Sequence, residues 1–402
     1  MDRPALEVAD IFRLHGPAYR KRHADRMNPE QRQIMRAIEV CRTAALGGHV
    51  DECDHCGLRR ISYNSCGNRH CPKCQSPAKA KWLEKQRMHL LPVGYFHVVF
   101  TIPDSIGPVA RQNKRVVYNI LFRAASETLR RIAADPKHLG ADIGFLAVLH
   151  TWGQNLLLHP HLHCVVPGGG LPPDRKKWIP SRKRFFLSVR VLSRLFRGLF
   201  LYYLENAYSS GKLHFFGTLR DLNDTKKFEE FIRKCRKPEW VVYSKPPFGG
   251  LDQVLDYLGR YTHRVAISNN RLVRLHDGKV TFRWRDYKAG NELKTMTLDA
   301  QEFIRRFLLH VLPRGFVRIR HYGILANPCR EQNITLCRQL LDVKQDNGPE
   351  PFLPENWMEL FERLTGESIS LCPVCRQGRM VLVEHFEASY ENGGQPEEMD
   401  SS

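Results

Sequence analysis

Nothing in the 402-residue chain reads as a membrane span, because no run of about 18 uncharged apolar residues occurs in it. The opening MDRPALEVADIFRLHG also lacks the apolar stretch of a secretory leader, so a soluble, intracellular protein is expected. There is no G-x4-G-K-S/T phosphate loop, which argues against a built-in nucleotide-driven motor, and there is no internal repeat. Acidic residues are in short supply: 42 Asp and Glu face 62 Lys and Arg, for a formal charge of +20. That imbalance disfavours a surface of evenly mixed charges and makes polyanions, nucleic acid first, the ligands to test. Residues 384–402 lack Lys and Arg altogether and carry six acids, so the first 383 residues hold six charges more than the total. With 42% hydrophobic and 10% aromatic residues, wholesale disorder is excluded, and the length suits two or three domains.

Four regions are expected: 1–89, 90–300, 301–383 and an acidic, disordered tail over 384–402. Apolar positions at Ile34, Ile38, Cys41 and Ala45 predict a helix over 29–46, which Gly47 and Gly48 end. GYFHVVFTIP (94–103), GFLAVLHTW (144–152) and HPHLHCVV (159–166) read as strands, and residues 107–134 as helical. Leu187, Val191, Leu195 and Leu199 mark an amphipathic helix over 187–205. A further helix is expected around QEFIRRFLLHVL. The fold class that follows is α+β, with helices on a mainly antiparallel sheet and a small helical, cysteine-bearing domain before it.

Twelve cysteines in an intracellular chain point to metal ligands or buried thiols rather than disulfides. Cys53-x2-Cys56, fourteen residues, then Cys71-x2-Cys74 has the spacing of a closed structural zinc site. Polar neighbours such as Arg59, Arg60, Arg69 and Lys73 suggest a staple that presents basic side chains to DNA. Cys41, Cys66, His49, His55 and His70 are spare donors, so another ligand set or a second ion is open. Cys372-x2-Cys375 resembles half of such a site, with Cys329 and Cys337 as conceivable partners, or else it is a turn with incidental cysteines.

His159, His161 and His163 alternate and share one face of their strand. His161 and His163 can converge on one ion, whereas the outer pair would be about 13 Å apart. In a hairpin Gln154 could lie across from His161 and is the preferred third ligand, with His159 the runner-up. Further on, Tyr257 and Tyr261 fall about 40° apart on a helix, at the edge of the stripe formed by Leu251, Val254, Leu255 and Leu258. Such a pair is ordinarily half-buried packing. A phenol with a pKa of about 10 becomes a practical nucleophile where a divalent cation polarises a phosphate.

The stretches CDHCGLRRISYNSCGNRHCPKCQ, TWGQNLLLHPHLHCVVPGGG, SKPPFGG and YLGRYTHR, in that order, resemble the bacterial transposases of the insertion-sequence-91 family, over most of residues 35–330. His161-Leu162-His163 resembles the HUH motif of rolling-circle endonucleases. The resemblance implies an HUH-type sheet preceded by a zinc-binding domain. It also implies a two-tyrosine enzyme that uses Mg²⁺ or Mn²⁺ on single-stranded DNA at transposon ends and target. His161 and His163 would then hold the metal, and Tyr257 and Tyr261 would form 5′-phosphotyrosine links. The protein would be cytoplasmic, nucleoid-associated when bound to DNA, and dependent on host helicase or replication machinery.

Arg175, Lys176, Lys177, Arg182, Lys183 and Arg184, interleaved with Trp178, Phe185 and Phe186, suit phosphate contact and base stacking on a single strand. Lys245, Arg260 and Arg264 extend the candidate grip, and Arg314, Arg318, Arg320 and His321 form a second group. Three rival readings remain: a replication initiator or relaxase with the same chemistry, a histidine-triad nucleotide hydrolase suggested by H-x-H-x-H, and a non-catalytic zinc-dependent DNA-binding protein.

Overall fold

The structure is a computed structural model that describes residues 5–182, 186–248, 251–261, 265–286, 289–342 and 368–389, with positions 359, 362 and 366; the side chains of 76–78, 246–248, 251, 252, 257, 260 and 261 are outside this description. The chain begins with α1 (Val8–Arg22) and α2 (Pro29–Val40), then β1 (Gly48–Cys53), β2 (Arg59–Tyr63) and α3 (Gln75–Arg87). Next come β3 (Tyr95–Thr101), α4 (Gly107–Gln112), α5 (Lys114–Ala134), β4 (Gly144–Trp152), β5 (Leu158–Pro167), the short β6 (Gly169–Gly170) and β7 (Ile179–Pro180), and α6 (Val189–Ser209). They are followed by α7 (Thr225–Arg236), β8 (Val242–Phe248), α8 (Leu251–Tyr261), β9 (Leu272–His276), β10 (Lys279–Asp286), β11 (Glu292–Asp299) and α9 (Ala300–Leu309). The last elements are β12 (Ile319–Gly323), α10 (Arg330–Leu340) and β13 (Met380–Phe386).

The central sheet has the order β12-β4-β5-β3-β8, and every neighbouring pair is antiparallel. Strands β3, β4 and β5 were legible because they are nearly continuous apolar runs, as strands covered on both faces tend to be, whereas β8 and β12 were not read as strands. One face, with Phe96, Val98, Phe100, Phe145, Ala147, Leu149, Leu162 and Cys164, is sealed by α5 and α6 in the largest core. The other face carries Tyr95, Leu146, Val148, Val165 and Ile319, which pack on Val254, Leu255 and Leu258 of α8 and on Trp82 of α3. The alternation of side chains assigns His97, His150, His161 and His163 to this second face.

Two expected boundaries do not separate independent units. Beyond residue 300, β12 is a strand of the central sheet, paired with β4. Helices α1 and α2 share one core with Ala266, Phe282, Phe303, Ile304 and Phe307, so residues 1–89 do not stand alone. Helix α2 starts on a capping box, in which the Asn28 side chain accepts from the Gln31 amide at 2.8 Å, with Pro29 in the first turn. It stops at Val40, short of the expected 46, where Arg42 adopts a left-handed conformation (φ 55°).

A second sheet, β13-β1-β2, joins segments from opposite ends of the sequence. Glu384, His385 and Phe386, expected in the disordered tail, pair instead with Val50, His49 and Gly48. Positions 390–402 lie outside the described residues. No helix among the described residues is long and apolar enough to cross a membrane.

Candidate metal centres and nucleic-acid face

The hairpin β4–β5 sets the histidine site. His161 pairs with His150, and one step on Trp152 pairs with Leu158, with an irregularity between His150 and Trp152. The turn then runs from Gly153 to Leu157, closed by a bond from the Gly153 amide to the Leu157 carbonyl at 3.0 Å. Gln154 is therefore in the turn and not across from His161; its carbonyl accepts from Arg271. Across from His161 stands His150 instead, and its ring nitrogen lies within 4.8 Å of those of His161 and His163, which makes it the candidate third donor. His159, the runner-up, is not part of this group and lies 3.6 Å from Asp104.

Each imidazole is oriented by a neighbour. His161 Nδ1–H donates to the His159 carbonyl at 2.6 Å, which leaves Nε2 as the lone-pair nitrogen. His163 Nδ1 lies 2.8 Å from Nε2 of the buried His97. Burial pushes the pKa of His97 down to about 3, so it is neutral. For His163 to offer Nε2 to an ion, its Nδ1–H must donate to His97. The ring of Trp152 stacks on His150, with centroids 4.9 Å apart. A trio of imidazole nitrogens fits a divalent cation and favours Mn²⁺ over Mg²⁺, which prefers oxygen donors.

Helix α8, whose sequence includes Tyr257 and Tyr261, packs on the same sheet face through Val254, Leu255 and Leu258. Its anchors Val148 and Val165 lie two residues from His150 and His163, about 7 Å along their strands. The side chains of Tyr257, Arg260 and Tyr261, and all of Arg264, are outside the described residues. Gly259 lets α8 approach α3 closely, because a Cβ there would come 2.7 Å from Lys79 Cε and 3.0 Å from Leu83 Cδ1.

The four cysteines expected in one zinc site fall in two separate cysteine groups. Cys71 and Cys74 group with Cys41 and Cys66, whereas Cys53 and Cys56 group with Cys372 and Cys375. In the first group Cys74 Sγ lies 3.5 Å from Cys41 Sγ and 3.6 Å from Cys66 Sγ. Within this network the mutual hydrogen bonds push the Cys74 thiol down and those of Cys66 and Cys71 up. His70 is not a donor in this group; it is half-buried and accepts from the Leu312 amide at 3.5 Å. Cys329 and Cys337 are also outside both groups.

Two of the four neighbouring cations are spent internally, whereas Arg59 is exposed beside Glu52. Lys73 forms a buried ion pair with Glu7 at 2.6 Å, and Arg69 donates to the carbonyls of Phe316 and Pro313. They hold the domain together and are not presented to DNA.

Of the expected grip, Lys176, Lys177 and Arg182 are exposed, while Lys183, Arg184 and Phe185 lie outside the described residues. Arg175 donates to Asn333. Trp178 is only 9% exposed, in a core with Leu91, Leu171 and Ile334, and Phe186 packs on Phe96, so neither can stack on a base. This loop follows the far end of β5, six residues and about 20 Å of strand from His161. In the second basic group Arg318 is buried, Arg320 lies over Phe122 at 4.0 Å, and His321 contacts Gln86. Lys245 is better placed: it pairs across from His97 on the histidine face and is exposed, with exposed Tyr243 beside it.

The geometry can be set beside known proteins. Residues 11–102 match a family model described as "Transposase zinc-binding domain", and residues 144–333 match one described as "Putative transposase". The chain is 60% identical over 387 residues to "Putative transposase y4qJ" of Sinorhizobium fredii, covering 96% of this chain and 97% of that one. The chain belongs to the insertion-sequence-91 family of transposases. It is also 28% identical to the transposase for insertion sequence element IS801 of Pseudomonas savastanoi pv. phaseolicola, over 78% of this chain and 74% of that one. A conjugative relaxase, TrwC, solved with its origin-of-transfer DNA, aligns over 61% of this chain and 72% of that one at 12% identity and a TM-score of 0.22, too low to support an argument. The transposase is thus a DNA-processing enzyme with a zinc-binding N-terminal domain.

Proposed function

We propose that this transposase cuts and rejoins single-stranded transposon ends through tyrosine nucleophiles of α8, beside a cation held by His150, His161 and His163. The observation that carries the reading is the packing of the tyrosine-bearing helix on the sheet face, and next to the strand positions, that hold the three imidazoles. A bound divalent ion supplies Lewis-acid polarisation of a phosphate oxygen. Tyr257 or Tyr261 loses its phenolic proton, its oxygen bonds to phosphorus, and the 3′ oxygen leaves as a protonated hydroxyl. The 5′ phosphate stays on the enzyme, and the bond energy is kept for rejoining. Lys245 supplies positive charge to the incoming backbone.

The test incubates the full chain with Mn²⁺ or Mg²⁺ and an oligonucleotide spanning a transposon end. A covalent adduct that survives denaturation is expected, lost with EDTA and lost in Tyr257→Phe/Tyr261→Phe. An undiminished adduct in the double variant would sink the mechanism.

A further inference from the structure

We propose that Cys53, Cys56, Cys372 and Cys375 form a second zinc site, which clasps the segment around β13 onto the N-terminal domain and completes a zinc ribbon from two parts of the chain. The clasp is long-range, because the contacting cysteines Cys53 and Cys375 are 322 residues apart in sequence.

The sulfur geometry is that of a metal site. Cys53 Sγ and Cys375 Sγ are 3.6 Å apart, Cys56 Sγ and Cys372 Sγ 3.7 Å, and the four sulfurs lie within 4.8 Å of one another. Zinc–sulfur bonds of about 2.3 Å in a tetrahedron place sulfurs about 3.8 Å apart, whereas a disulfide would hold them at about 2.0 Å.

The two C-x2-C turns are also built alike. The Gly57 amide donates to the Cys53 carbonyl at 3.0 Å, and the Arg376 amide to the Cys372 carbonyl at 3.1 Å. Gly57 (φ 71°) and Arg376 (φ 53°) are both left-handed, at the same place in each turn. The Cys53 amide donates to the Leu58 carbonyl and the Cys372 amide to the Gly378 carbonyl, each at 2.9 Å. Further amides point at sulfur, from Cys56 to Cys53 Sγ at 3.5 Å and from Gly378 to Cys375 Sγ at 3.4 Å, which suits thiolate acceptors.

The turns interlock as well as repeat. Asp54 Oδ1 accepts from the Arg379 amide at 2.7 Å, and the Asp54 amide returns a bond to the Arg379 carbonyl at 3.1 Å. At Gly378 a Cβ would come 2.5 Å from Cys53 Sγ and 2.6 Å from Asp54 Oδ1, so no larger residue fits without parting the turns. Apolar burial cannot replace the metal, because Val381, Leu382 and Val383 are 49%, 51% and 49% exposed. A three-stranded unit with so small a core needs a staple.

The test titrates the metal-free full chain with Co²⁺ and follows thiolate-to-metal charge-transfer absorption, which the histidine site does not produce. Wild type should reach its endpoint at two ions per chain. Cys372→Ser/Cys375→Ser and Cys66→Ser/Cys71→Ser should each stop at one. Gly378→Val, which keeps all eight thiols, should weaken only one of the two ions. Hydrogen exchange in β13 should slow on metal addition in wild type and not in Cys372→Ser/Cys375→Ser. A wild-type endpoint of one ion, an endpoint of two in Cys372→Ser/Cys375→Ser, or β13 exchange indifferent to metal would overturn the proposal.

Discussion

At the residue scale, the histidine pair was legible and its surroundings were not. Strand alternation requires only the sequence of β5, and it put His161 and His163 on one face. The third donor depends on hairpin register, and the real turn displaces Gln154 by four positions from the partner of His161, which is His150. His97 was missed altogether, because a lone histidine in an apolar strand gives no sign of what it opposes. Its position makes it a positioning residue for His163 through the 2.8 Å contact of Nε2 with Nδ1. His97→Ala should weaken Mn²⁺ binding by roughly 10–100-fold, as loss of an outer-shell partner does, with the folded state retained. Calorimetric titration with Mn²⁺ reads the affinity, and rescue of cleavage at raised Mn²⁺ separates weakened binding from lost chemistry. Trp178 shows the opposite error: an aromatic among lysines looked like a stacking platform, yet 9% exposure makes it core. Sequence proximity to charge does not tell which face of a loop an aromatic uses.

At the scale of elements, strands β3, β4 and β5 and helices such as α2, α5, α6 and α9 were readable from the sequence, while the other strands and the partners of each element were not. The spacing within each C-x2-C turn is local and was recognisable. The pairing of turns is set by β13 binding β1 and by α2 delivering Cys41, both long-range events. One consequence is a chain of contacts from the Cys41–Cys66–Cys71–Cys74 group to the helix of the proposed nucleophiles. Cys74 caps α3, α3 presses on α8 at Gly259, and α8 carries the tyrosines. Gly259→Leu should push α8 off α3 and lower cleavage by about a hundredfold, the scale of a displacement near 1 Å, while leaving Mn²⁺ binding at the histidines intact. Single-turnover cleavage beside a Mn²⁺ titration checks both halves. The β4–β5 turn is tethered in a different way, by His310 at the end of α9. Its Nε2–H donates to the Leu156 carbonyl at 3.1 Å and its Nδ1 accepts from Thr151 at 3.2 Å. Burial pushes the pKa of His310, and likewise of His321, down to about 3 from an ordinary value of 6.5. Stability from keeping these rings neutral is present above pH 6.5 and is lost as pH falls toward 3. Urea midpoints should therefore be flat above neutrality and fall steadily between pH 6 and pH 4. His310→Gln should lower the plateau and flatten that slope.

At the scale of the molecule, part of the basic excess behind the charge of +20 is spent inside the fold. Arg69, Lys73, Arg318 and Arg320 are committed to carbonyls, an ion pair, Gln75 and aromatic rings, and the contacts of Arg69 and Arg318 tie the zinc-binding region to the segment leading into β12. The cores are shared in the same way. Phe12 of α1 meets Phe307 of α9 edge to face, with centroids 5.2 Å apart, in a cluster that also takes in Cys41, Cys71 and Cys74. An N-terminal domain cut out at residue 89 would lose that cover from α1 and α2, so its helices should not fold by themselves. In the intact chain the two regions should unfold together, because neither keeps its core without the other. Phe307→Ala removes a fully buried ring from the shared cluster and should cost about 3–5 kcal/mol. If the core is common, that loss lowers the midpoint of one cooperative transition reported equally by thiol reactivity at Cys41 and by fluorescence of Trp240 in the sheet-and-helix core. Two separated transitions, with only the thiol signal moved, would mean that the zinc-binding region folds independently of the sheet.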